Sequence, residues 1–472
     1  MKRRMLLLMM AGFFVFGGVA FAGSALNNGT GSLKVCAQES VQIDAKAYVE
    51  TLCTGDVSEL ESSYTYTDEM SAALESGGGL EGLQSSIKQL GELKAVEEPV
   101  EEEASGYRSY SVPCQFEVQN VDIVIHVDTQ GRIAGLVTMP YTGAQEGETD
   151  TKASEKTLPD GVAETELTLP VSGEEGWELP GTLTMPEGDG PFPAVILVHG
   201  SGPNDRDETV GPNKPFRDIA WDLAQQGIAV YRYDKRTNVY GEEMAADTKL
   251  TLEEETIQDA VQAVSLLKEQ DKVDPERIYV LGHSLGGEAL PRIRQALAQE
   301  GQELSGYIFL AAPARPLAGL MREQYDFLYS LMPQLNETQQ KQKEEIYAQL
   351  DRLDDLDSLS EDEAVMGAYK QYWQYLEDYD PVEAAADMTE KCLVLQGEED
   401  YQVTMEDFAL WQEAYGESEN WEFITYPGLT HMFMPGEKAN GNADYMTAQN
   451  VDPQVTADIA LFVNGGNPLM RE

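Results

Sequence analysis

Six short, largely β-branched apolar runs recur in the second part of the chain: Ala194–Val198, Ile228–Tyr233, Arg277–Leu281, Tyr307–Ala311, Cys392–Leu395 and Trp421–Tyr426. They are apolar at successive rather than alternate positions, so each strand needs cover on both faces. Helical stretches lie between them, and that order suits a parallel sheet wrapped on both sides by helices. The expected fold over residues 161–472 is therefore α/β, a mostly parallel doubly wound sheet. Two helix starts are marked. Thr251-Leu252-Glu253-Glu254 reads as a capping box ahead of the stripe Ile257, Ala260, Val261, Val264 and Leu267. Asp452 and Pro453 read as the N-cap and first residue of the last helix. In an open sheet of this kind ligands bind at the C-terminal ends of the strands.

The 472 residues exceed one domain at ~150 residues each. Residues 41–140 read as a separate small α+β domain. Ala45–Leu60 has mixed helical patterning, Ser109–Val118 and Val121–Val127 alternate like strands, and Gly131 turns the chain into Ile133–Val137. Residues 97–103 read as an acidic loop around Pro99, and 141–160 as a linker rich in Gly, Thr, Glu and Asp. Cys53 and Cys114 fall in this small domain and can pair in an oxidising compartment, whereas Cys392 suits a small apolar side chain in a strand.

Three cationic side chains in Met1–Arg4, an apolar run Met5–Ala22 and A-x-A-like sites form the plan of a secretory signal peptide over residues 1–37. Cleavage is expected after Ala22 or Ala37. The alternative is a retained anchor, since the run approaches the length of a membrane span. Against 32 basic residues stand 83 acidic ones, a net charge of −51. Such a surface repels phosphate backbones and anionic lipid headgroups, so neither a nucleic-acid nor a stable membrane partner is expected. With four His and no C-x-x-C or H-E-x-x-H, no metal or other cofactor is expected either.

The residues that carry chemistry sit at the strand ends. Arg277–Leu281 runs into Gly282-His283-Ser284-Leu285-Gly286-Gly287, a G-x-S-x-G element between a strand and a helix, which would lift the Ser284 hydroxyl above the sheet. A serine needs a base. His126 lies in the small domain, His283 projects to the other face from the serine, and His199 opens a glycine-bearing loop where a structural role is expected. His431, beyond Trp421–Tyr426, is the base expected for Ser284. The acid should follow Lys391–Gln396. There Asp400 is the first choice, Glu399 the second and Glu398 the third. The oxyanion donors are expected to be the amides of Leu285 and Ser201, with Gly202 as the runner-up to Ser201. Asp234, Lys235 and Arg236 are read as loop braces rather than catalytic groups.

With these residues in view, the chain resembles the α/β-hydrolase superfamily, and within it secreted esterases and serine-aminopeptidase-like hydrolases. The likeness is carried by the G-x-S-x-G element together with His199-Gly200-Ser201-Gly202-Pro203-Asn204-Asp205-Arg206-Asp207 and Tyr231-Arg232-Tyr233-Asp234-Lys235-Arg236. It covers roughly residues 165–472 and implies a Ser–His–Asp mechanism on Ser284, His431 and Asp400. Residues 41–140 resemble a small domain of unknown function found ahead of such hydrolases, similar to the cone-shaped nuclear-transport-factor-like fold. Glu288 departs from the pattern, where a small or apolar residue is usual, and Thr237 replaces a frequent glycine.

Residues 313–390 separate two strands that a crossover of about a dozen residues can join. Their composition predicts a helical cap, with Met321, Tyr325, Phe327, Leu328, Leu331 and Met332 early and Tyr369, Tyr372, Trp373 and Tyr375 late. The expected substrate is a carboxylic ester. An amide or short peptide is the alternative, and a catalytically silent fold used for binding is a third reading. The small domain can instead grip an unknown partner or polymer.

Overall fold

The computed structural model describes residues 43–140 and 157–470, apart from 68–69, 72–73, 75–78, 105–106, 118–119, 175, 333 and 336. The leader read at residues 1–37 and most of the linker lie outside the described residues. The chain divides into two compact units near residue 152.

In the first unit, β1 (Leu93–Val96), β2 (Val100–Ala104), β3 (Tyr107–Phe116), β4 (Val121–Asp128) and β5 (Ile133–Pro140) form an antiparallel sheet in the order β1-β3-β4-β5, with β2 also paired to β3. Helices Ala45–Thr54, Val57–Ser63 and Gly79–Ile87 bring Tyr48, Leu52, Leu60 and Leu80 into one core with Val112, Ile123, Ile125 and Leu136. Two expectations are corrected. The helical stretch 45–60 is two helices: Gly55 ends the first, and the Asp56 carboxylate caps the second by accepting from the Ser58 amide at 3.0 Å. The acidic segment 97–103 is not all loop, because its second half is β2, in register with β3 from Val100↔Ser111 to Ala104↔Tyr107. Acidic residues suit an outer strand, since their charge discourages further edge pairing. Cys53 and Cys114 are buried free thiols, and burial pushes each up to about 12.

The second unit begins with β6 (Val162–Glu166), a two-residue ladder of β7 (Leu169–Pro170) with β8 (Glu178–Leu179), and β9 (Gly181–Pro186). There follow β10 (Phe192–Val198), β11 (Ala229–Tyr233), β12 (Val273–His283), β13 (Gly306–Leu310), the small ladder of β14 (Ala364–Val365) with β15 (Ala368–Tyr369), then β16 (Lys391–Gly397) and β17 (Trp421–Tyr426). One eight-stranded sheet runs β17-β16-β13-β12-β10-β11-β9-β6. The six apolar runs are its six mutually parallel strands, and β9 runs against both neighbours.

Alternate side chains divide between the two faces. Ala194, Ile196, Ile278, Val280, Phe309 and Val394 pack on one side with residues of helices Gln258–Lys268, Leu290–Gln299 and Met405–Tyr415. Val195, Leu197, Leu281, Ile308, Leu310 and Leu393 pack on the other with Phe216, Ile219, Val455, Ile459 and Phe462. The central strand β12 therefore has buried neighbours on every side, a stiff base for whatever its C-terminal end carries. Between β13 and β16, helices Leu317–Ser330, Glu337–Leu353 and Lys370–Glu377 form the expected helical insertion. Its start is fastened by Arg315, which pairs with Asp407 at 2.8 Å and Glu323 at 2.9 Å.

Candidate active site

At the end of β12 the chain reverses within one residue. Ser284 takes φ 52°, ψ −123°, a conformation rare for a residue with a side chain. Its amide donates to the Leu310 carbonyl at 2.9 Å, and its own carbonyl accepts from Gly287 at 2.8 Å and Glu288 at 3.1 Å. The reversal leaves no space at the flanking glycines. A Cβ on Gly282 would stand 2.2 Å from the Gly286 carbonyl oxygen, and one on Gly286 would stand 2.4 Å from that of Val198. Residues 278–283 and 285–291 are all buried, and Ser284 alone among them is partly accessible.

Asp400 and His431 meet. Asp400 Oδ2 lies 2.6 Å from His431 Nδ1 and also accepts from Gln396 Nε2 at 3.0 Å. Its other oxygen accepts the amides of Gln402 at 2.7 Å and Val403 at 3.0 Å. Four donors thus surround a buried carboxylate and fix its direction. The competing acids are occupied elsewhere: Glu399 accepts from the Lys438 amide at 2.9 Å, and Glu398 from Thr425 Oγ1 at 2.8 Å. His431 sits in a tight loop closed by Thr430 N–H donating to the Met434 carbonyl at 3.0 Å. A carboxylate on Nδ1 selects the tautomer that leaves Nε2 free to accept a proton.

The loop after β10 touches the elbow, since a Cβ on Gly200 would stand 3.1 Å from that of Ser284. Its carbonyls are drawn to one side. Lys235 Nζ donates to the Gly200 carbonyl at 2.9 Å, and Asn204 Nδ2 donates to those of Gly200, Ser201 and Gly202 at 3.3, 3.1 and 3.3 Å. In a trans peptide the N–H opposes the C=O, so the Ser201 and Gly202 amides are turned the other way. The Gly200 amide is taken by Glu208 Oε1 at 2.7 Å.

Residues 191–439 match the Hydrolase_4 family, described as serine aminopeptidase, S33, and that match spans more than half of the chain. The chain belongs to this S33 family. A curated relative, esterase EstD of Thermotoga maritima, is 36% identical to this chain over 381 residues, 81% of this chain and 85% of the relative. Among solved structures, an esterase of Pyrobaculum calidifontis aligns with a TM-score of 0.41 at 15% identity, over 64% of this chain and 86% of that one. Est1E of Butyrivibrio proteoclasticus aligns with a TM-score of 0.40 at 18% identity, over 65% and 99%.

The other three histidines have different surroundings. His126 is bound through Nδ1 to Ser109 Oγ at 2.8 Å. His199 is buried beside Phe216 and Tyr233, and burial holds it at about 4, so it stays neutral. His283 contacts the site: its Nε2 lies 3.0 Å from the His431 carbonyl oxygen. In the charged segment after β11, Asp234 braces a neighbouring loop as expected, whereas Arg236 is tied to a helix. Arg206 pairs with Asp234 at 3.0 Å, and buried Arg236 with buried Asp259 at 2.6 Å.

Sequence reasoning missed the partner of Lys235. Glu255 Oε1 lies 2.5 Å from its ammonium, and both groups are buried. Thr251 and Glu254 do form the capping contacts, but the helix then opens with a π turn over Glu253–Ile257. Glu255 lies within this wide turn and is fully buried. Glu288 is also buried, and burial pushes its carboxyl up to about 8 despite the charge of Arg292, which itself lies over the rings of Tyr375 and Tyr379. The first helix of the insertion reaches the turn after Asp400, where Phe327 stacks on Tyr401 at 5.0 Å and Gln324 donates to the Gln402 carbonyl at 3.0 Å. The later aromatics serve both the insertion's own packing and its attachment: Trp373 donates to the Val365 carbonyl at 2.9 Å, whereas Tyr375 Oη donates to Glu253 at 3.0 Å and Tyr369 Oη to the Ala245 carbonyl at 3.3 Å. Among the described residues no group of three or more His, Cys, Asp or Glu could hold a metal ion, and no helix is long and apolar enough to cross a membrane.

Proposed function

We propose that the chain is an extracytoplasmic serine hydrolase that cleaves carboxylic esters through an acyl-enzyme on Ser284. The observation that carries this reading is the 2.6 Å contact of His431 Nδ1 with Asp400, on a loop joined to the elbow that bears the accessible Ser284. Ser284 Oγ adds to the acyl carbon as its proton passes to His431 Nε2, and Asp400 stabilises the resulting imidazolium. The Ser201 and Leu285 amides receive the oxyanion. The bond from carbon to the alcohol oxygen then breaks, His431 returns the proton to that oxygen, and the alcohol leaves. Water, deprotonated by His431, adds to the acyl-serine, and collapse of the second intermediate frees the acid and the Ser284 hydroxyl.

The name of the relative EstD supports ester over amide chemistry. The leader pattern in residues 1–37 supports export. The insertion, through Phe327 and its neighbours, is proposed to cap the acyl site, and the small domain to hold a partner or polymer. Labelling with a fluorophosphonate, followed by kinetics on acyl esters and aminoacyl anilides, tests the reading. The wild-type protein is expected to label and to prefer esters. Ser284→Ala is expected to lose the label and roughly 10⁴-fold or more in kcat while folding normally. Retained turnover in that variant overturns the assignment, and a preference for anilides replaces esterase with aminopeptidase.

A further inference from the structure

Glu208 lies eight residues past Gly200, is 3% exposed, and takes φ 52°, a left-handed conformation in a residue that is not glycine. Its Oε1 accepts the Gly200 amide at 2.7 Å, and its Oε2 lies 2.9 Å from His283 Nδ1 in an ion-pair contact. His283, also 3% exposed, turns its Nε2 to the His431 carbonyl at 3.0 Å. Two side chains therefore reach three separate segments. They touch the chain one residue before the oxyanion donor Ser201, one residue before the nucleophile Ser284, and at the backbone of the base His431.

We propose that Glu208 and His283 are a positioning pair that holds these three segments in register for the reaction. The proposal rests on the reading of Ser284, Asp400 and His431 given above. Both neighbours of the His283 ring are acceptors, a carbonyl and a carboxylate, so the ring carries a proton on each nitrogen and Glu208 is ionised. Burial pulls His283 down and Glu208 up, but their mutual attraction outweighs it and moves each the opposite way. A buried ion pair is a poor source of stability, and left-handed backbone at Glu208 adds strain. Apolar side chains would fill the same space without the cost of burying charge. What they cannot do is bind a backbone N–H on one loop and a backbone carbonyl on another. The ring centroids of His283 and His431 are 4.7 Å apart, so a shift of the first moves the second.

The test compares Glu208→Ala, Glu208→Gln, His283→Phe and His283→Asn in the full chain. Glu208→Ala and His283→Phe are each expected to lower kcat about 10–100-fold, the scale of a small misplacement of reacting groups, with KM changed less than about threefold. Glu208→Gln keeps an acceptor for Gly200 and is expected to recover most of kcat, as is His283→Asn, which keeps a donor for the His431 carbonyl. The double variant Glu208→Ala/His283→Phe should lose no more than the worse single one, because the pair acts as a unit. Wild-type kcat in both truncations overturns the proposal, and so does a loss of kcat that neither conservative variant rescues. If a truncation fails to fold, the two conservative variants decide, with kcat within about threefold of wild type required. Fluorophosphonate labelling of Ser284→Ala separates the levels: a retained label sinks the parent reading, whereas a lost label with indifferent Glu208 and His283 variants sinks only this inference.

Discussion

The ammonium of Lys235 donates to the Gly200 carbonyl at 2.9 Å while lying 2.5 Å from Glu255 Oε1. One buried cation thus joins the loop proposed to bind the oxyanion to a turn of the helix that starts at Thr251. Replacing it separates two consequences. Lys235→Met strands the Glu255 charge and is expected to destabilise by about 3–5 kcal/mol, and it also leaves the Gly200 carbonyl with only the longer bond from Asn204 at 3.3 Å, with a fall in kcat of about tenfold. Adding Glu255→Gln should restore stability without restoring kcat. Urea unfolding and steady-state kinetics on the two variants check both halves.

Asp400 is the acid that holds His431. Asp400→Asn should reverse the preferred tautomer and lower kcat by about 10⁴. Glu399→Gln and Glu398→Gln should stay within about threefold of wild type, because those carboxylates serve Lys438 and Thr425. A kinetic comparison of the three variants on one ester checks the assignment.

Glu288 carries a pH signature. Its folded pKa of about 8 lies above that of an unfolded carboxyl, so the folded state holds the extra proton between the two values. Stability from this source is present below about pH 4.5 and is lost as pH rises through about 8. Glu288→Gln, neutral at every pH, should match wild type near pH 5 and exceed it near pH 9 by a few kcal/mol, on the order of the shift itself. Denaturation midpoints at the two pH values provide the measurement.

Gly286 abuts backbone, not a side chain that can yield. A Cβ there would meet the carbonyl oxygens of Val198 at 2.4 Å and His199 at 2.6 Å. Gly286→Ala should therefore destabilise by about 3 kcal/mol or more, the upper range for overpacking, or fail to fold. Circular dichroism and a denaturation curve test it.

The six parallel strands were legible because burial on both faces leaves uninterrupted apolar runs such as Ala194–Val198. The strands β6 and β9 were not. Four of the five residues of β6 are exposed, so Val162–Glu166 carries too little apolar signal to separate it from loop. At the site, the order of Ser284, Asp400 and His431 and the glycines around the elbow were readable as local patterns. Glu208, Lys235 and Glu255 act across distances in sequence that no local pattern records. Glu255 in addition lies in a π turn that interrupts the regular helical period, so the apolar stripe of that helix gives no sign of its burial. The acidic strand β2 was read as loop because composition conveys solubility but says little about pairing at an outer edge.

Arg232 is 3% exposed, and its guanidinium is divided between Glu164 at 2.9 Å, Asp207 at 2.9 Å and Thr184 at 2.7 Å. Glu164 belongs to β6, the outermost and least apolar strand of the sheet. Excision of the first unit must therefore stop short of Val162. A cut placed after β6 would leave that cation with Asp207 as its single carboxylate, and a truncated enzyme that fails there would report a halved ion-pair cluster and not a need for the missing domain.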